Sequence, residues 1–291
     1  MPGCRLQAWP WTSEEDMHDT GSVEDKSMQI ALPGGAAQIA ADAALGAGKI
    51  LLERLADERH IEFKGDVDLV TDADHAAEAL ILDHILTAFP DHRFVGEEGV
   101  HRSGASVADD GGYTWLVDPL DGTTNYAHRY PHFSVSIALA FARTIVLGVV
   151  FDPMLDELFV GQRGAGFTIN GKPATVSTTE SLMRSLLGTG FSYDLEGRAE
   201  NMRLWERFMP RCQGVRRDGS AALNMCYVAA GRLDGFWERP INSWDIAAGA
   251  VMVEEAGGTI SGYNGAFDPF TGEVVASNGF VHQAMLEVIR E

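Results

Sequence analysis

Trp115-Leu116-Val117-Asp118-Pro119-Leu120-Asp121-Gly122-Thr123-Thr124-Asn125-Tyr126 passes from apolar to acidic to helix-capping residue types without a break. Trp115, Leu116 and Val117 suit a buried strand. Asp118 ends that run, and Pro119, with no N–H to give a sheet ladder, is expected to stop it. Asp121 follows after one apolar residue, and the chain turns at Gly122. Thr123, Thr124 and Asn125 are residue types that begin helices. Two carboxylates therefore stand at the end of a strand, beside the open backbone N–H groups of a helix start. Such a place can hold a cation and a phosphate together: the carboxylates take the metal, and the N–H groups and helix dipole face the anion. The competing reading is an Asp-rich surface turn, because Asp, Pro and Gly are turn formers.

Acids elsewhere in the chain weigh against the turn. Asp74, Glu97, the pair Asp118 and Asp121, and Asp245 each sit where a strand ends or a helix begins. If the fold gathers them, they cannot remain bare anions: two unit charges about 4 Å apart repel by about 4 kcal/mol at an effective dielectric near 20. The cluster must bind protons or hard cations. All-oxygen ligands without nearby His or Cys favour Mg²⁺, Mn²⁺ or Ca²⁺ over zinc.

The chain has 291 residues, 22 basic and 42 acidic, for a formal net charge of −20. That argues against a nucleic-acid binder resting on a broad basic face. An anionic substrate would be repelled at long range unless cations were bound locally. Cys4, Cys212 and Cys226 show no zinc-type spacing and suggest a reducing compartment. Neither a membrane-length apolar run nor a secretory signal is visible, so a cytoplasmic protein is expected.

Residues 1–27 are acidic and aperiodic and read as a disordered tail before one domain over 28–291. Helical spacing appears from Gly35 to Ala56 and from Thr71 to Phe89. Ile61-Glu62-Phe63 is a possible strand, and Lys64-Gly65-Asp66 a loop. Phe94-Val95 is a strand closed by Gly96-Glu97-Glu98-Gly99. Strands are expected over Phe133–Phe141, Thr144–Phe151, Leu158–Gly161 and Gly166–Ile169, with a hairpin turn at Asn170-Gly171. Beyond a boundary near Thr178–Ser185 come a strand over Ser185–Gly190 and a helix over Glu200–Phe208. A helix over Ala221–Ala230, a strand end at Gly235–Glu238 and a helix from Ser243 to Glu255 follow. A last helix covers Val281–Arg290. The class is α/β or α+β.

Gly96-Glu97-Glu98, Asp118-Pro119-Leu120-Asp121-Gly122-Thr123 and Trp244-Asp245-Ile246-Ala247-Ala248-Gly249 resemble, in order, the motifs of the inositol monophosphatase family. Gly219-Ser220-Ala221-Ala222-Leu223-Asn224 and Phe236-Trp237-Glu238 are similar to its substrate-side elements. The resemblance implies a layered αβαβα sandwich with a metal-binding half (about 28–180) and a substrate-side half (181–291). It also implies a Mg²⁺-dependent, lithium-sensitive phosphomonoesterase holding two or three ions, with Mn²⁺ as a substitute, and a homodimer. Glu97, Asp118, Asp121 and Asp245 would ligate metal through carboxylates, with Asp118 bridging two ions, and Leu120 through its carbonyl. Thr123 and Asp74 would orient and deprotonate the attacking water. Gly122 and Thr123 would meet the phosphate. Gly219, Ser220, Ala221 and Glu238 would face the alcohol half, and Lys64 would lie on a mobile loop.

Plainer roles stand beside these. Asp74 could be a first-turn acid, Thr123 a cap, Glu238 and Lys64 solvated, and Trp244 core; His75 and His132 read as structural or solvated, and Glu98 as a solvated neighbour that could exchange roles with Glu97. The implied substrates are myo-inositol 1-phosphate and similar sugar or polyol phosphates. Histidinol phosphate and fructose 1,6-bisphosphate are alternatives, and a non-catalytic cation-binding protein is a third. Arg216 and Arg217 are the only basic pair near the substrate elements.

Overall fold

The alanines after Gly35 form α1 (Ala36–Leu55), in which Ala36, Ala40, Ala43, Ala44, Ala47 and Leu51 are fully buried. Methyl-sized side chains on that stripe let the helix lie close to the sheet beneath. The computed structural model describes residues 30, 32–55, 61–63, 69–99, 101–102 and 111–291. Residues 1–27 and Lys64 lie outside them. Residues Leu32–Glu291 form one compact unit.

After α1, β1 (Ile61–Phe63) pairs antiparallel with β2 (Leu69–Thr71), and α2 (Asp72–Ala88) follows. Next come β3 (Arg93–Gly96), β4 (His101–Arg102), β5 (Tyr113–Asp121), α3 (Thr123–Ala127), β6 (Ser134–Phe141), β7 (Thr144–Asp152), β8 (Glu157–Gln162), β9 (Gly166–Ile169) and β10 (Lys172–Pro173). They build an eight-stranded sheet in the order β10-β9-β8-β7-β6-β5-β3-β4. Only β3 and β5 run parallel in it. The remaining elements are β11 (Leu186–Thr189), α4 (Leu195–Phe208), β12 (Gly214–Arg216), α5 (Ala221–Ala229), β13 (Gly235–Glu238), α6 (Ser243–Glu255), β14 (Thr259–Ser261), β15 (Val274–Ser277) and α7 (His282–Arg290). Their five strands form a second sheet, β12-β11-β13-β15-β14.

Helices α1 and α2 cover the first sheet; α5 and α6 fill the space between the sheets; α4 and α7 cover the far face of the second. This is the layered αβαβα sandwich that the resemblance implied. The middle layer is tight. A Cβ at Gly148 of β7 would stand 2.2 Å from the carbonyl oxygen of Ala248, so α6 lies directly on the sheet there. The second core packs Phe208 of α4 on Trp237 of β13, with ring centroids 3.9 Å apart.

Three expectations need correction. Strand β5 does not stop at Pro119 but runs on to Asp121. The register shifts between Asp118, opposite Ser136, and Asp121, opposite Ser134. That bulge puts an extra residue where β6 asks for no N–H, so a proline fits. Helix α4 begins at Leu195, earlier than its apolar spacing suggests, because the Asp194 side chain caps it by accepting from Gly197 N at 2.8 Å. Strands β4, β12, β14 and β15 were not foreseen; they are two to four residues long. Too short to show alternation, such strands leave no pattern to read. Among the described residues no helix is long and apolar enough to cross a membrane, and Cys212 and Cys226 are buried free thiols.

Candidate active site

Parallel pairing of Gly96 with Val117 brings the ends of β3 and β5 side by side, and Glu97 N donates to Val117 O at 3.1 Å. Glu97 and Asp118 thereby meet at one strand-end rim. Asp118 is buried, accepts from Leu120 N at 2.9 Å and is hydrogen-bonded with Glu97. Three residues on, past the bulge, Asp121 reaches the N-terminus of α5. Its carboxylate accepts from Ala222 N at 2.9 Å, Ala221 N at 3.2 Å, Ser134 Oγ at 3.4 Å and, in a short bond, Ser220 Oγ. Asp245, in the first turn of α6, accepts from Asn242 N at 3.0 Å. Glu97, Asp118, Asp121, Glu238 and Asp245 all line a single cleft. Glu98 does not; its N–H is drawn to the buried Glu78 carboxylate at 3.2 Å.

Thr123 opens α3, and its single hydroxyl proton is shared between Leu120 O at 3.0 Å and Asp74 Oδ1 at 3.3 Å. Asp74 is fully buried in the first turn of α2, behind Thr123 rather than on the cleft wall. Gly122, Gly219, Ser220 and Ala221 line the cleft beside Thr123. Asn125 Nδ2 holds the two segments together by donating to His132 O and Asp218 O, each at 2.7 Å. Glu238 lies against Gly190: a Cβ there would stand 2.0 Å from its Oε1, so any side chain at that position would displace the carboxylate.

Burial raises these carboxyl groups above their ordinary range. Asp118 is pushed well up by desolvation first, then by the charges of Glu97, Asp121 and Asp245. Asp245 is pushed well up by desolvation, then by Asp121 and Glu97. Desolvation also raises Asp121, against the lowering effect of its bonds from Ser220, Ala222 and Ala221. Glu238 is pushed up to about 8 by desolvation and Asp121, with Arg217 pulling the other way.

The donors are all oxygen, as hard divalent cations require. Mutual repulsion is the second-largest cause of the shifts in Asp118 and Asp245, and bound positive charge would relieve it. The residues therefore fit a Mg²⁺ or Mn²⁺ site. Among the described residues no three acidic, His or Cys side chains already stand as a closed ligand shell. The carboxylates share a cleft and are held meanwhile by the chain's own donors.

The cleft also contains residues that sequence reasoning did not single out: Thr189, which ends β11, and Phe191 and Tyr193, which follow it. Nothing in the spacing of that segment marks it. Arg217 lines the cleft, whereas Arg216 turns its guanidinium to Val215 O at 3.3 Å. Asn224, fully buried in α5, lines it with an Oδ1 that has no hydrogen-bond partner. Trp244 packs against the middle-layer core, as its plainer reading held.

The family model for the inositol monophosphatase family matches residues 36–291. The chain is 45% identical to inositol-1-monophosphatase of Synechocystis over 255 residues, covering 87% of this chain and 88% of that one. It is 41% identical to Nus factor SuhB of Salmonella typhimurium over 257 residues, 87% and 95% of the two chains. Among solved structures, inositol monophosphatase from Anabaena superposes with a TM-score of 0.79 at 42% identity, covering 87% of this chain and 94% of that one. Fold, cleft and relatives together define a phosphomonoesterase, a hydrolase of phosphate esters. Within that class the chain belongs to the inositol monophosphatase family.

Proposed function

We propose that this phosphatase hydrolyses myo-inositol 1-phosphate and related sugar or polyol monophosphates with Mg²⁺, or Mn²⁺ in its place. The observation that carries the proposal is the cluster of Glu97, Asp118, Asp121 and Asp245, delivered from three elements to one cleft, in which burial raises the three aspartates and the neighbouring charges raise Asp118 and Asp245 further. These four side chains and the Leu120 carbonyl would hold the metal. Bound there, divalent cations supply charge neutralisation for the phosphoryl and leaving oxygens and acidify the attacking water.

The chain's own groups do the rest. Thr123 Oγ1 gives its proton toward Asp74 and so presents a lone pair to a water proton. A threonine alone is a weak base, and the buried Asp74 carboxylate makes the transfer feasible. Gly122 and Thr123 meet the phosphate, and Ser220, Ala221 and Glu238 face the alcohol. The ester is a small molecule, and a homodimer is the expected assembly.

The test is a kinetic panel with Mg²⁺ and Li⁺ titrations on myo-inositol 1-phosphate, histidinol phosphate and fructose 1,6-bisphosphate. Highest kcat/KM on inositol or related polyol phosphates, with inhibition by Li⁺, supports the proposal. A large preference for histidinol phosphate would displace it.

Replacing Thr123 by Ala is expected to lower kcat by about 10²- to 10⁴-fold, the usual worth of a positioned proton acceptor. Thr123→Ser should keep most activity. The double variant Thr123→Ala/Asp74→Asn should be little worse than either single one, because the pair acts in series. Additive losses in stopped-flow single-turnover rates would argue that the two residues work separately.

The raised carboxyl groups also set a pH dependence. Their contribution to the stability of the metal-free chain is complete below the unfolded carboxylate value of about 4 and is lost as pH rises through the folded values. For Glu238 that loss begins near the ordinary carboxylate value and is complete at about 8. Thermal unfolding in EDTA should therefore occur at lower temperature at alkaline than at mildly acidic pH. Added Mg²⁺ should raise Tm more at the alkaline end, and equal Mg²⁺ shifts at both ends would count against the cluster as the cation site.

A further inference from the structure

Away from the cleft, a cavity of about 360 Å³ opens between α4, α7 and the segment after β14. Four arginines line it, Arg203, Arg207, Arg239 and Arg290, against one carboxylate, Glu200. Their placement runs against the balance of the whole chain, which has 42 acidic residues and 22 basic ones. With so many acids available, an arginine normally finds one. Arg239 reaches only Glu273, at 3.6 Å. Among the described residues Arg203, Arg207 and Arg290 form no ion pair. Arg290 Nε donates to Tyr263 O at 2.8 Å and Arg207 Nη1 to Ile289 O at 3.4 Å, which fixes both without neutralising them. Arg203 and Arg207 lie one turn apart on the same face of α4, and like charges at that spacing repel.

Tyr263 lines the cavity and is 4% exposed, so its ring forms a fixed wall. Guanidinium groups offer paired N–H donors matched to phosphate oxygens, and the cavity volume is within the range of small-ligand sites.

We infer that this cavity is a second anion site, which takes a small phosphate-bearing molecule apart from the catalytic cleft. Four guanidiniums around one volume suit a ligand with more than one phosphoryl charge, such as a diphosphate group. Its binding does not require the catalytic reading to be correct, because neither cations nor turnover enter into it.

The experiment is isothermal titration of the full chain with pyrophosphate in EDTA. Without metal, the carboxylates of the catalytic cleft repel such an anion. One saturable site per chain is expected, weakening as salt is added. Arg203 is exposed and makes no contact that folding needs, so Arg203→Gln and Arg203→Glu should fold. The first should weaken binding at least tenfold and the second abolish it, both with unchanged phosphatase turnover. Arg217→Gln, in the catalytic cleft, should leave the pyrophosphate affinity as it is. Absence of saturable binding, equal affinity in the Arg203 variants, or loss in Arg217→Gln instead would each overturn the assignment.

Discussion

Asp118→Asn is expected to lower kcat/KM by at least about 10³-fold while making the metal-free chain more stable, not less. Both effects come from one side chain. Asp118 is buried and faces the charges of Glu97, Asp121 and Asp245, and its folded state resists ionisation for that reason. An amide of the same shape can still accept from Leu120 N, as Asp118 Oδ1 does at 2.9 Å, and carries no charge to repel its neighbours. The variant should therefore unfold at higher temperature in EDTA at alkaline pH. It should also lose most of the further rise that Mg²⁺ gives the unaltered chain. Sites that hold unfavourable charge for function commonly trade stability in this way. Thermal unfolding with and without Mg²⁺, beside steady-state kinetics, checks both halves. Equal Mg²⁺ shifts in the two proteins would remove Asp118 from the cation site.

Gly148→Ala should be the most damaging single methyl in the sheet. The added carbon would stand 2.2 Å from Ala248 O and 2.8 Å from Ala248 Cα, which are backbone atoms in the middle of α6. A flexible side chain could rotate away; a helix backbone packed between two sheets cannot. Overpacked cores commonly lose about 1–3 kcal/mol, and the backbone clash puts this variant at or above the upper end. The consequence reaches the cleft, because α6 carries Asp245 in its first turn. Denaturant unfolding should show the loss of stability, and the surviving folded enzyme should need more Mg²⁺ for half-maximal rate. A variant as stable as the parent would mean that α6 can slide on the first sheet.

The sequence made the site more legible than the architecture. Acids at the ends of Val95-Gly96 and Leu116-Val117 could be paired as candidates because strand ends are where loop chemistry collects. Their meeting depends on the parallel register of β3 with β5, which no local pattern encodes. Pro119 misled because a bulge absorbs it, and a bulge is a property of two strands rather than one. The short strand Val274–Ser277 is buried at every position, so it lacks the alternation that reveals a strand. The aromatic wall at Phe191 and Tyr193 and the arginine cavity were equally silent, since they are made by chain segments that meet only in the folded protein.

Manganese binding to the full chain, followed by electron paramagnetic resonance, puts the cation cluster itself to the test. Saturable uptake of two or more Mn²⁺ per chain is expected, displaced by excess Mg²⁺ and lost when Glu97, Asp118, Asp121 and Asp245 are all changed to their amides. Mn²⁺ uptake that survives the fourfold change intact would contradict the account.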